Sequence, residues 1–188
     1  MVETWHYAHR VPSIVVAVGM YVDDVLAGCI TYGIPPSPNV QRCCGEKHRL
    51  NTLELNRLYI HDWAGRNAES WLIGQSFKIL RLSYPEYPIL VSYADIAFGH
   101  IGLIYRATNW IYTGTSLLDK TDTVIEGHHA RQSVHLGGGK VAKMLGGVII
   151  PRSLKHRYVY FLGGKSQRKE LRKALRWPVL PYPKMSPS

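Results

Sequence analysis

Residues Ser13–Ile34 read SIVVAVGMYVDDVLAGCITYGI, two β-rich runs meeting at Val-Asp-Asp. That pattern predicts a hairpin. Pro35–Asn39, PPSPN, must then be loop, because consecutive prolines cannot continue a central strand. Thr52–Ile60, TLELNRLYI, alternates. Simple alternation sends Leu53, Leu55, Arg57 and Tyr59 to one face and Glu54, Asn56, Leu58 and Ile60 to the other. Both faces mix apolar and polar groups, as in a central strand with one end opening into a site.

The period then becomes helical. Asn67 reads as an N-cap, and Glu69 falls in the first turn, where its charge suits the helix dipole. Leu72, Ile73, Phe77 and Leu80 recur at helical spacing and predict a buried stripe. YPEYP ends this helix. ILVSYA (Ile89–Ala94) predicts a strand, GHIGLIYRAT (Gly99–Thr108) a short helix, and WIYTGT another strand. Further on, RQSVHLG and HRYVYFLG (His156–Gly163) read as strands, Ser166–Trp177 as a basic amphipathic helix, and PVLPYPKMSPS as an extended end. The order ββ, β, α, β, α, then β-rich predicts a mixed α/β fold around one sheet.

Composition changes the picture in one place. The net charge is +10, and from Arg152 to Lys184 ten Lys/Arg face a single acid, Glu170. A localised basic segment attracts a polyanion, and Tyr158, Tyr160, Phe161, Trp177 and Tyr182 are interleaved with its charge, which favours nucleic acid over a solvated tail. The 188 residues, 46% hydrophobic, fit one domain with a sizeable core. No apolar run reaches the roughly 20 residues that span a bilayer, so no membrane is expected. Residues 1–10 carry Glu3, His6, His9 and Arg10, so no export signal is expected either. Three cysteines, two of them adjacent, do not make a disulfide framework and suit a reducing cytoplasm.

Several motifs fail on spacing. HLGGGKV has Val141 after Lys140 where a phosphate loop needs Ser or Thr. No G-x-G-x-x-G follows the first strand. Cys43, Cys44, His48, His128 and His129 lack the paired spacing of a zinc site. No D/N-P-P-Y/F tetrapeptide supports a methyltransferase.

LELNRL, then NAES, then VSYADIAFGHIGLIYRATNWIYTG carry a resemblance to the phage Mom family of DNA-modification proteins. WHYAHRVPS at one end and HRYVYFL with RWPVLPYPK at the other are similar to it as well. The resemblance implies a GNAT-like fold: a mostly antiparallel central sheet flanked by helices, one catalytic domain over residues 1–188 with a basic, Pro-containing segment at 164–188. It implies conversion of adenine in DNA to the N6-carbamoylmethyl form, which shields phage DNA from restriction in the cytoplasm of an infected or lysogenic bacterium. The expected partners are double-stranded DNA and a small-molecule group donor, with a homodimer as the commonest assembly. The donor stays open. Acyl-CoA is one choice, although WAGRNAES lacks the second and third glycines of the GNAT pyrophosphate loop and places Glu69 where a pyrophosphate would sit. A catalytic metal such as iron is another open component. The alternatives are a GNAT-type N-acetyltransferase using acetyl-CoA and a non-enzymatic nucleic-acid-binding phage protein.

Adenine N6 is buried in the duplex stack and must be unstacked, and its proton needs an acceptor as the new bond forms. Asp95, after a strand and before a turn, is the first choice for that acceptor, with helix capping as its other role. The resemblance to the GNAT-like arrangement implies that Tyr105, on the short helix, donates a proton to a leaving group; its other role is a core aromatic packed on Ile101. His100 would assist proton transfer. Asn109 has the donor–acceptor pair that reads a purine edge, and equally suits a helix C-terminus. Tyr93, Trp110 and Tyr112 would stack on a base or fill the core. His6, Tyr7, Asn56, Arg57, Glu69 and Ser70 complete the expected substrate site. Arg168, Lys169, Arg172, Lys173 and Arg176 are assigned to the DNA backbone.

Overall fold

The turn between the first two strands converts pattern into structure directly. In the computed structural model, which describes residues 13–116, 121–124, 148–151 and 153–184, β1 (Val16–Val22) and β2 (Val25–Gly33) pair antiparallel up to Val22 opposite Val25. Asp23 and Asp24 between them both have positive φ, 48° and 61°. A two-residue loop with left-handed φ at both positions matches the twist of its flanking strands, and Asp tolerates that region.

A short helical turn, α1 (Pro38–Gln41), leads into β3 (Thr52–Ile60). The helix α2 (Ala68–Ser83) follows, then β4 (Ile89–Asp95), a 3-10 turn at Ile96–Phe98, α3 (Leu103–Ala107) and β5 (Ile111–Thr115). The strands β6 (Thr121–Val124) and β7 (Val148–Pro151) form a separate antiparallel pair, and β8 (Lys155–Phe161) and α4 (Lys165–Ala174) come last. The main sheet has the order β1-β2-β3-β4-β8-β5. Only β3 and β4 run parallel, and α2 is the crossover between them. The predicted mixed α/β architecture, one mostly antiparallel sheet flanked by helices, is therefore present. The predicted strand RQSVHLG lies outside the described residues.

Each face of the sheet has its own core. On one, Leu72, Ile73, Phe77 and Leu80 of α2 are all buried against Tyr32, Leu53, Leu55, Leu90 and Tyr158. This is the stripe that helical spacing predicts. On the other, Leu171 of α4 joins Cys43, Cys44, Ile89, Val91, Val159 and Phe161, with Leu175 and Trp177 packed against them. β4 serves both faces, Leu90 and Ala94 toward one and Ile89 and Val91 toward the other. That double burial explains its near-continuous apolar run.

The carboxy-terminal segment belongs to this packing. The backbone N–H of Leu180 donates to Tyr112 O at 3.0 Å, along the edge strand β5, and the Tyr182 hydroxyl donates to the Trp110 carbonyl. The Arg157 guanidinium lies 3.7 Å from the Trp177 ring centroid and bonds Thr113 Oγ1 and O at 3.0 and 2.8 Å. The Pro-rich end thus covers a sheet edge that would otherwise be open. Among the described residues, no helix is long and apolar enough to cross a membrane.

Leu171 is fully buried and is the main apolar anchor of α4. Leu171→Ala is expected to lower stability by about 2–5 kcal/mol in urea unfolding, the usual range for a buried leucine. An unchanged midpoint would mean that α4 does not depend on this core.

Candidate functional site

β3 and β4 pair only from Thr52 opposite Ile89 to Leu55 opposite Ser92. Beyond that point β3 stays paired with β2 through Ile60, and β4 stays paired with β8 through Asp95. The two parallel strands therefore part. The cause is local. Thr31 of β2 faces Arg57 and Tyr32 faces Leu55, so β3 carries one extra residue, Asn56. A bulge of this kind bends its strand and shifts the phase of its side chains. Leu53 and Leu55 pack on the α2 core before it, and Leu58 and Ile60 pack on the same core after it. The uniform alternation expected for this strand is thus wrong beyond Asn56. The bulge is held by Thr31 Oγ1 donating to Asn56 Oδ1 at 2.7 Å and by Asn56 Nδ2 donating to Ser13 O at 3.0 Å.

A cavity of about 490 Å3 opens where the strands part. Its walls are Leu55–Ile60 of β3, Tyr93 and Ala94 of β4, the stretch Gly99–Tyr105, and Glu69 from α2. A volume of this size suits a ligand of a few rings. At its apex, Ser92 Oγ donates to Leu55 O at 2.9 Å, bridging the last paired position. The Tyr105 hydroxyl is 2.7 Å from Ser92 Oγ. With the serine proton committed to Leu55 O, Tyr105 donates to Ser92 Oγ. Its ring stacks on Tyr158 at 4.8 Å and meets Trp110 edge-on at 5.2 Å.

Asp95 does not line this cavity. Its side chain is 6% exposed and faces the turn that follows β4. Oδ1 accepts the Ala97 N–H at 3.1 Å, and Oδ2 accepts Ser153 Oγ at 3.0 Å and the Lys155 ammonium at 2.8 Å. Burial pushes this carboxyl up, but the hydrogen bond and charge of Lys155, with the bonds from Ala97 and Ser153, outweigh burial and hold it below its usual value. It caps the 3-10 turn, and the expectation of an acceptor facing the cleft is corrected accordingly.

The other expected residues divide in the same way. Asn56, Arg57, Glu69, Tyr93, His100 and Tyr105 border the cavity; Asn109, Trp110, Tyr112 and Ser70 do not. Asn109 is exposed, with φ 61°, just after α3, so the helix-end role fits and the purine-reading placement does not. Trp110 is fully buried in the core, and Tyr112 is buried there with its hydroxyl 2.9 Å from His156 Nδ1. Neither is placed to stack on a base in the cavity. Ser70 Oγ donates back to Asn67 O at 3.0 Å within the first turn of α2. Asn67 is the N-cap by position, at φ 62°, but its side chain makes no cap bond. The ring of Tyr93 packs in the α4-side core near Glu54 and Arg157, where burial raises its phenol. Its carbonyl is the part near Tyr105, at 3.5 Å from the hydroxyl. His6 and Tyr7 lie outside the described residues.

Sequence reasoning passed over Tyr59 and its neighbours. Tyr59 lines the cavity, its hydroxyl is 3.2 Å from His61 Nδ1, and His61 stacks on the exposed Trp63 at 5.7 Å. Aromatic residues at alternate positions, Tyr59, His61 and Trp63, were the available signal.

Arg168, Lys169, Arg172, Lys173 and Arg176 are all exposed, on α4 or just after it. That helix covers the sheet face opposite to α2. A second hollow, of about 570 Å3, lies between the end of α2 and the start of α4 and is bordered by Arg81 and Arg168. Among the described residues, no three His, Cys, Asp or Glu side chains converge as metal ligands. The start of α2 offers a pyrophosphate the Glu69 carboxylate instead of a glycine-rich cradle, so the residues present do not fit coenzyme A in that position.

Because the Asp95 carboxyl titrates lower in the folded chain than in the unfolded one, its stabilisation is complete above about pH 4 and fades as pH falls through the folded value. Asp95→Asn is expected to lower stability by about 1–3 kcal/mol at neutral pH, with the gap to wild type closing below about pH 4, read by urea unfolding across pH. A gap independent of pH would contradict the ion pair.

Comparison with known proteins agrees with the sequence resemblance. A curated relative, the methylcarbamoylase Mom of Escherichia phage Mu, is 30% identical over 193 residues, covering 98% of this chain and 78% of the relative. Solved structures with some likeness include an N-acetyltransferase from Staphylococcus aureus Mu50 (15% identity, 78% of this chain and 67% of that one, TM-score 0.43). Another is a ribosomal-protein-alanine N-acetyltransferase from Brucella melitensis (14% identity, 77% and 67%, TM-score 0.45). Likeness at that level has no bearing on chemistry. The sequence profile of the Mom protein family matches residues 1–184, and with the phage relative it establishes that this chain belongs to the Mom protein family.

Proposed function

We propose that this chain is a DNA-modifying transferase that places a carbamoylmethyl group on N6 of adenine and acts in the phage's host cell. The reading rests on one conjunction. A chain 30% identical to a methylcarbamoylase over nearly its whole length has a cavity of about 490 Å3 where its two parallel strands part.

In that reading an unstacked adenine enters between β3 and the Gly99–Tyr105 stretch. A bond forms from N6 to the methylene carbon of the donor as the bond from that carbon to its leaving group breaks; the leaving group departs with the bonding pair, and the N6 proton is lost. Among the described residues that line the cavity, Glu69 is the only carboxylate, and it takes the acceptor role first expected of Asp95. His100, exposed at the rim, relays the proton outward. The Tyr105 hydroxyl, its proton committed to Ser92 Oγ, accepts from the N–H of the carbamoyl group being transferred. Arg57, whose Nη1 donates to Asn56 O at 2.6 Å, orients a polar group of the donor from the β3 wall. The donor itself is a small molecule of unassigned class, and no step runs through coenzyme A. The exposed cations of α4 hold the phosphate backbone, independent of sequence.

Expression in a bacterium, followed by digestion of plasmid to nucleosides and mass measurement, is expected to show added mass on deoxyadenosine. Glu69→Gln and Tyr105→Phe, at equal soluble levels, are each expected to cut that product by about 100-fold or more. Unmodified nucleosides from soluble wild type would overturn the reading. They would favour an N-acetyltransferase if acetyl-CoA binds, or a DNA binder if it does not.

Charge reversal at Arg168, Lys169, Arg172 and Lys173 is expected to weaken DNA binding at all sequences and to flatten log Kd against log salt by roughly one unit per lost phosphate contact. An unchanged slope would remove α4 from the DNA interface.

A further inference from the structure

The segment that follows β4 has an apolar tip beside the cavity. Phe98 is 57% exposed, Leu103 is 57% exposed and Ile96 is 38% exposed, three large apolar side chains within eight residues. Single exposed apolar residues are ordinary, but a cluster on the rim of a cavity marks a contact surface. Leu103 lines the cavity, and so do Gly99 and His100, the two residues after Phe98. The tip and the cavity wall are therefore one continuous run of backbone.

That run is held firmly. Asp95 caps the turn through Ala97, and Lys155 and Ser153 fix Asp95 in return. The N–H groups of Gly99 and His100 donate to Ile96 O and Asp95 O, at 2.9 and 3.2 Å. The Tyr158 hydroxyl donates to Ile101 O at 2.6 Å. Gly102 sits at φ 73°, and a Cβ there would lie 2.6 Å from the Tyr158 ring, so the chain can pass only as glycine. The apolar tip is presented on a preset turn.

We propose that Phe98 is a wedge that enters the DNA stack and occupies the gap left when an adenine swings into the cavity. This rests on the adenine-modifying reading. The occupant is double-stranded DNA, because a stacked base presents a flat apolar face to an inserted ring, while the same segment has no acid from Ile96 to Arg106 and exposes His100 and Arg106, which complements the phosphates. Enzymes that act on a base must stabilise it outside the stack, and filling the vacancy does so. Asp95 thereby acts as a positioning residue for the wedge.

The test uses purified full chain and short duplexes with 2-aminopurine in place of one adenine, in a set covering every combination of flanking bases. Wild type is expected to raise 2-aminopurine fluorescence on the duplex. Phe98→Leu keeps an apolar wedge and should retain that rise, while Phe98→Ser should lose it by about tenfold or more at matched DNA occupancy. Both variants should match wild type when 2-aminopurine stands opposite an abasic site, where the base is already loosened. Equal fluorescence for Phe98→Ser and wild type on the intact duplex would overturn the wedge. So would an equal loss on both substrates, which a merely structural role produces. The fluorescence needs no group donor. Plasmid left unmodified by wild type would sink the transferase reading alone, and the fluorescence comparison would still decide for or against Phe98.

Discussion

The hydrogen bond from Ser92 Oγ to Leu55 O sits at the point on which the site depends. It marks the last register position of the parallel pair, and every feature of the cavity begins there. Two parallel strands inside a sheet ordinarily satisfy each other's backbone groups along their length. Here the extra residue Asn56 ends that arrangement on one side, while β2 and β8 keep the outer edges of both strands paired. The opening therefore arises within a sheet that stays intact around it. Tyr105 reaches the apex from α3 because Gly102 lets the chain turn against Tyr158.

The division of labour between faces of the sheet follows from the same geometry. The α2 and α3 side supplies the cavity walls, with Glu69 at the start of one helix and Tyr105 in the middle of the other. The α4 side supplies the exposed cations and closes the second core through Leu171 and Trp177. Asp95 stands between the two. A carboxylate that accepts from Ala97, Ser153 and Lys155 has its lone pairs engaged in shaping a turn. A polar residue at the end of a strand thus contributes to a site through the segment it holds as well as through its own atoms.

Periodicity made much of the framework legible. The hairpin around Asp23 and Asp24, the α2 stripe and the near-continuous apolar run of β4 are local consequences of side-chain chemistry, and they appear where expected. Of the residues singled out between Ser92 and Gly114, Tyr93, His100 and Tyr105 border the cavity. Trp110, Tyr112 and Asn109 are as prominent in the sequence, yet two fill the core and one ends a helix. Residue type alone does not separate those cases, because a buried tyrosine and a site tyrosine share the same chemistry.

What the chain determines by itself is its elements, their buried faces, its charge distribution and, through long specific motifs, its membership of the Mom protein family. Those properties depend on neighbours in sequence or on residue identity. Three matters were settled only in three dimensions: the bulge at Asn56, the pairing of Asp95 with Lys155 and the insertion of β8 between β4 and β5. Each joins residues far apart in the chain. The slip from Leu53 and Leu55 to Leu58 and Ile60 is written in the sequence, but only the partner strand makes it a bulge, and only the fold decides which charge meets Asp95.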